Sequence, residues 1–258
     1  IRNSDWEELS FGDGFDVVPD PSKPGTGYSM SQGGYLQRWN NETGHTKFIR
    51  PVHPKGEELR FNWNAAIAID PFNPETIYYG SQFVHKSTDR GENWEIISPD
   101  LTTNDPEKQK QLESGGLTYD VTQAENFTTI VSIAPSPKEQ GVIWVGTDDG
   151  NIQSTTNGGE SWENHSRKFK DVPEGSWVPQ IVASEHEAGE AFVVINNYRR
   201  NDWTPFLYHT KDYGKTWNRL ADAEKVWGYC LSVVQDPVAP NLLFLGTEFG
   251  LYVSIDYG

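Results

Sequence analysis

The stretch HKSTDRGENWEIISPD, residues 85–100, sets Ser87, Asp89, Gly91 and Trp94 at a spacing that fits neither a helical nor a strand period. The same spacing, Ser/Thr-x-Asp/Asn-x-Gly-x-x-Trp, returns at Thr155, Asn157, Gly159 and Trp162, and again at Thr210, Asp212, Gly214 and Trp217. Ser254, Asp256 and Gly258 start a further copy at the end of the sequence, and Asn40, Glu42, Gly44 and Thr46 form a degenerate first one. The acid positions advance by 47, 68, 55 and 44 residues. A unit of that length, repeated, is the size of one β-sheet blade.

The flanks repeat with the box. Ahead of each copy lies a β-rich run such as TIYYGSQFVHKS or VIWVGTDDGNIQST, with GYSMSQGGYLQRW and LLFLGTEFGLYVS as the first and last. Ahead of that lies another, FDVVPDP, AAIAIDP, TIVSIAPSP or LSVVQDP, and after the box come NWEIISP, SWENHS and TWNRLA. Short runs rich in Val, Ile and aromatics, divided by Gly and Pro, read as strands. Four strands per unit predict an all-β chain, a β-propeller of four-stranded antiparallel blades. The expected units are about 11–50, 61–103, 125–170, 176–222 and 227–258, within one domain covering 1–258. That amounts to an arc of about five blades from a larger propeller. The alternative, ring closure by pairing Trp6–Leu9 with LYVSID, is the less favoured expectation.

In this frame the box occupies the hairpin between third and fourth strands. Gly91 supplies a positive-φ position, Asp89 and Ser87 bond backbone N–H groups of the turn, and Trp94 buries its ring between neighbouring sheets. The boxes, including Asp256, are therefore read as scaffold rather than chemistry.

The boxes resemble the Asp-box, or bacterial neuraminidase (BNR), repeat found in sialidases, xyloglucanase-type hydrolases and sortilin-like propellers. The longer phrases resemble exported bacterial proteins of the sortilin-like group, glycosyl hydrolase-like by repeat content. The resemblance implies a secreted, cell-surface or periplasmic bacterial protein that handles polymers. A fold does not fix a function. A sialidase would add three arginines for the substrate carboxylate and a Phe/Tyr-Arg-Ile-Pro segment. Here Phe48-Ile49-Arg50-Pro51 has Ile and Arg exchanged and follows the first weak box, which counts against sialidase activity.

Composition narrows the rest. The chain has 258 residues, a net charge of −16, 13% aromatic residues, 24 Gly and 16 Pro. So acidic a chain offers no basic surface for nucleic acid or an anionic membrane. There is no run of 18 apolar residues to span a bilayer. Cys230 is the single cysteine and the six histidines are scattered, so no disulfide, metal site or cofactor is expected. With Ile1 at its head, the sequence reads as an interior piece, its partners the rest of a longer polypeptide and a polysaccharide or peptide ligand.

The expected site is the face opposite the boxes, where second-to-third hairpins meet the segments leading into the first strands. Eight residues before the proline that ends the first strand stand Trp63, Phe127 and Tyr229, and Trp177 takes the same place in its unit. Channel packing explains rings in such places, and so does a stacking platform for a ligand. Asn62, Trp63, Asn64, Gln82, Trp177, Arg199, Arg200, Trp203 and Trp227 are the binding candidates. Gln32 and Tyr198 share their hairpins. Glu58, Glu125, Asp148, Asp149 and Glu248 are the carboxylates from which a glycoside hydrolase would draw its pair. An insertion at about 105–115 reads as a helix capped by Asp105, with Pro106 first and Gly115–Gly116 as its stop. The expected function is an exported module binding a glycan or extended peptide on this face. Hydrolysis of a glycoside there is the alternative.

Overall fold

A computed structural model describes residues 2, 6, 8–110 and 126–258. Its strands form five antiparallel sheets, each from one contiguous stretch of chain. Blade 1 holds β1 (Val17–Pro19), β2 (Thr26–Ser31), β3 (Tyr35–Asn40) and β4 (His45–Phe48). Blade 2 holds β5 (Ile67–Ile69), β6 (Ile77–Gly80), β7 (Val84–Ser87) and β8 (Glu95–Ile96). Blade 3 holds β9 (Ile130–Pro135), β10 (Ile143–Thr147), β11 (Ile152–Thr155) and β12 (Glu163–Asn164). Blade 4 holds β13 (Trp177–Ala183), β14 (Ala191–Asn197), β15 (Asp202–Thr210) and β16 (Asn218–Arg219). Blade 5 holds β17 (Cys230–Gln235), β18 (Leu243–Thr247) and β19 (Gly250–Ser254). The chain is an all-β propeller of such blades, open rather than closed within the described residues.

The second strand of each blade shows why the sheets stack. In β6 adjacent tyrosines face opposite ways, Tyr79 into the core shared with blade 1 and Tyr78 into the core shared with blade 3. Likewise Val193 of β14 packs toward blade 3 while Phe192 packs toward blade 5. Strands covered on both faces must be apolar on both, and β6, β10 and β14 are buried at every position. In β18 burial alternates, because only one face of blade 5 is covered. On the other face Leu251 is 67% and Val253 55% exposed. Trp6, 73% exposed, lies outside any strand, and β19 pairs only with β18, so the ring-closing pairing is not formed.

Glycines let the blades close up. A Cβ on Gly80 would stand 2.7 Å from Ile130 Cγ2, and one on Gly146 2.6 Å from Val178 Cγ1. The first strand of each following blade presses on that bare backbone.

The box hairpins join β7–β8, β11–β12 and β15–β16. Ser87 Oγ accepts from Gly91 N at 2.8 Å, and Asp89 Oδ1 accepts from Asn93 N at 2.8 Å. Thr155 with Gly159 and Asn157 with Ser161 repeat this at 3.0 Å each. Thr210 with Gly214 (3.0 Å) and Asp212 with Thr216 (2.9 Å) do so again. Ser254 Oγ accepts from Gly258 N at 2.5 Å and donates to Asp256 Oδ1 at 2.9 Å. The degenerate first copy differs: Asn40 Oδ1 accepts from Glu42 N and Thr43 N, a plain Asx turn.

Each box also ties back to the first hairpin of its own blade. Arg90 N donates to Glu75 O and Gly158 N to Gly141 O, both at 2.9 Å. Tyr213 N donates to Gly189 O at 2.9 Å and Tyr257 N to Asn241 O at 3.1 Å. First-to-second and third-to-fourth hairpins therefore share one face, leaving the second-to-third hairpins for the other. The indoles of Trp94 and Trp162 reach the preceding blade, donating to Ile49 O (2.8 Å) and Ile97 O (3.0 Å). Trp217 bonds Gly214 O of its own turn at 3.1 Å and packs edge-on against Trp144, 5.8 Å away.

The insertion after Asp100 contributes one short 3-10 turn, Pro106–Gln109, with Asp105 accepting from Glu107 N. Residues 111–115 of the expected helix, and Gly116, lie outside the described residues. No helix among the described residues is long and apolar enough to cross a membrane.

Candidate ligand site

Asn62 starts the site. Its segment leads into β5, and its amide spans two blades. Nδ2 donates to Thr129 Oγ1 at 3.0 Å and to Asp148 Oδ2 at 3.1 Å, while Oδ1 accepts from Asn64 N at 3.0 Å. That network presents Trp63 and Asn64 toward blade 4, where Trp177 opens β13. Between them lies an open cleft of about 360 Å³, lined also by Asn126, Asn196, Tyr198 and Arg199. Trp63 and Trp177, 114 residues apart in sequence, face one cavity because Trp63 leads into the first strand of blade 2 and Trp177 opens that of blade 4, on either side of the entry into blade 3.

A strip of rings runs along this rim. Phe127 and Trp177 lie 6.1 Å apart between centroids. Arg199 Cζ stands 3.9 Å from the Trp177 centroid and 4.5 Å from that of Tyr198. Tyr198 stacks on Tyr229 at 4.4 Å, and Tyr229 meets Trp203 at 5.6 Å. The 3-10 turn Tyr198–Arg200 produces this arrangement, ended by Asn201 in a left-handed conformation, φ 61°. Cation–π contact holds the guanidinium in place without using any of its N–H groups.

Other candidates are placed differently. Gln82 is fully enclosed: its Oε1 accepts from Arg60 N and its Nε2 donates to Glu58 O, both at 2.9 Å. It shapes the loop, and the Glu58 side chain points to solvent. Arg200 is committed to Asn197 Oδ1 (2.6 Å) and Glu174 O (2.8 Å). Trp203 is 47% and Trp227 69% exposed, neither lining the cleft, and Glu248 is exposed on the β18–β19 hairpin. Glu125 lies outside the described residues.

The two adjacent aspartates are enclosed, each 1% exposed. Asp148 accepts from Thr129 N (2.9 Å) and meets the Thr129 hydroxyl at 2.5 Å. Burial pushes its pKa up to about 8, with the charge of Asp149 adding to the rise and the hydrogen bonds opposing it. Asp149 is held by Thr103 N and Oγ1 and by Thr147 Oγ1 at 2.5–2.7 Å. Asp148 sits behind Asn62, so it touches the cleft only through that amide. Among the described residues no cluster of His, Cys, Asp or Glu could hold a metal ion.

Two polar lining residues escaped the sequence reading. Asn126 precedes Phe127 as Asn62 precedes Trp63, a pairing legible in the sequence. Asn196, 2% exposed, lies in the buried run of β14, where nothing in the sequence marks it.

No family model matches the chain. It is 28% identical over 159 residues to the probable oligoxyloglucan-reducing end-specific xyloglucanase of Neosartorya fischeri. That match covers 57% of this chain and 17% of the relative. Among solved structures, an ancestral GH74 enzyme superposes over 92% of the chain and 28% of its own length, with TM-score 0.58 and 19% identity. The Dos1 propeller does so over 92% and 56%, with TM-score 0.57 and 11% identity. At these identities the structures share the fold with this chain. The chain spans well under a third of the xyloglucanase and of the GH74 enzyme.

Proposed function

We propose that the chain is a partial propeller, one domain of five Asp-box-type repeats across 1–258, that binds a glycan in the cleft between Trp63 and Trp177. The observation that carries this reading is the convergence of two indoles with the polar side chains of Asn64, Asn196 and Tyr198 around one open cleft. Rings offer area to the apolar faces of a sugar and amides meet its hydroxyls. The likeness to a xyloglucanase supports a glycan over a peptide. Export from a bacterium and sortilin-like kinship belong to the same reading. So does a longer polypeptide, whose next four-stranded blade would cover Val234, Leu251 and Val253 as each blade covers the one before it.

Binding is preferred to hydrolysis for a specific reason. An acid/base pair must reach the scissile bond. Among the described residues no carboxyl lines the cleft, and the candidates Asp148 and Asp149 are enclosed and committed to threonines. Calorimetric titration against a panel of neutral and acidic oligosaccharides tests the reading. Trp63→Ala and Trp177→Ala should each weaken binding by about 1–3 kcal/mol, the scale of uncovering one large apolar side chain. Binding unchanged in both folded variants would leave the rings as packing only. Turnover of a polysaccharide, lost on replacing a carboxylate, would favour the hydrolase.

A further inference from the structure

Arg199 and Arg200 are neighbours with opposite fates. Arg200 is spent on Asn197 and Glu174. Among the described residues the Arg199 guanidinium makes no ion pair and donates no hydrogen bond, although it is held over the Trp177 ring and against Tyr198. Four other arginines find carboxylates, Arg38 with Glu92, Arg60 with Asp100, Arg90 with Asp20 and Arg219 with Asp171, while Arg50, away from the cleft, lies over Tyr35 and Phe61 instead. Arg199 is also the one charged side chain among the described residues lining the cleft, which contains no Asp or Glu. Asp148, behind the wall, is enclosed and bonded to Thr129 and Asn62, and burial raises its pKa. The cleft is thus a cationic pocket in a molecule of net charge −16.

The geometry also says what kind of anion fits. With a ring against its face, a guanidinium offers ligands the N–H groups at the edge of its plane. That planar fork matches the two oxygens of a carboxylate. The flanking rings fix the orientation of the fork, and among the described residues no carboxylate is paired with it.

We infer that the cleft selects an acidic glycan, a polymer containing hexuronic acid, whose carboxylate is gripped by Arg199 beside the Trp177 ring while the polar side chains lining the cleft take its hydroxyls. The inference rests on the reading of the cleft as a glycan site and names the class of sugar it prefers.

The test compares tetragalacturonate with its fully methyl-esterified form, which keeps the sugar and removes the charge, by calorimetry on the full chain. The acid should bind about 10- to 100-fold more tightly than the ester, the worth of a hydrogen bond to a charged group. Arg199→Gln should erase that preference and Arg199→Lys should keep part of it, with thermal melts confirming both variants folded. Equal affinity for acid and ester, or an unchanged preference in Arg199→Gln, overturns the inference while neutral-sugar binding leaves the glycan reading standing. If no sugar of either kind binds, the glycan reading itself falls. A poly-glutamate peptide bound through Arg199, with tetragalacturonate ignored, also overturns it in favour of a peptide.

Discussion

Gly158 and Gly159 are adjacent in one hairpin, and replacing each with Ala separates the turn from the blade seam. Both have positive φ, 71° and 103°. A Cβ on Gly158 meets nothing within 4 Å, whereas one on Gly159 would lie 2.4 Å from Ile97 O and 2.9 Å from Ile97 Cβ of the preceding blade. The other boxes show the same division. Arg90, Tyr213 and Tyr257 occupy the place of Gly158 at φ 58–73°. The next place is always glycine. A Cβ there would come 2.5 Å from Ile49 at Gly91, 2.7 Å from His165 at Gly214 and 3.1 Å from Leu220 at Gly258. Gly158→Ala costs left-handed strain of about 1–2 kcal/mol, part of which returns through a less flexible unfolded chain. A net loss of about 0–1 kcal/mol is expected. Gly159→Ala adds a clash with backbone that cannot rotate away, at about 1–3 kcal/mol for overpacking, for a net loss of about 1–4 kcal/mol. Urea unfolding of both variants at equal protein concentration gives the difference. Equal losses would refute the reasoning, because the box glycine would then be only a turn residue and not a spacer between blades.

Asp148 has its folded pKa raised from 3.8 to about 8, so its contribution to stability is full at acid pH and is lost as pH rises through that window. Asp148→Asn should flatten the fall in Tm between about pH 4 and 8, and an unchanged profile would show that another group sets it. His85 and His165 act in the opposite sense. Burial lowers their pKa to about 3 and about 4, so their stability is present above the ordinary 6.5 and is lost as pH falls toward those values. Far-UV circular dichroism should show acid unfolding starting below about pH 6, with a shallower limb in His85→Phe. Gly80→Ala should destabilise by pressing on Ile130, and Ile130→Val should recover part of the loss in the double variant. Additive losses would mean the two positions do not share the seam.

The sequence alone carried the repeat, the strand order and the role of the boxes. Ser87, Asp89 and Gly91 bond one another across a few residues, so their spacing encodes their geometry. The unbroken buried runs of IYYG and IWVGT likewise follow from strand geometry, since a strand covered on both faces can spare neither. What could not be read locally is which side of a hairpin meets a neighbour. Gln82 and Asp148 look like Trp63 as channel-mouth tips. The fold turns them inward, onto Glu58 O and Thr129, because a buried polar group must find a partner wherever the chain brings one. Gly158 and Gly159 read alike, and only the approach of Ile97 tells them apart. Arg199 and Arg200 read as one paired cation. The 3-10 turn directs one to backbone and amide oxygens and leaves the other lying over Trp177, 22 residues away in sequence, with its donors unspent. Local spacing decides turns and strands, whose bonds close within a few residues. Charge, burial and access at the cleft depend on contacts between blades, which only the folded chain supplies.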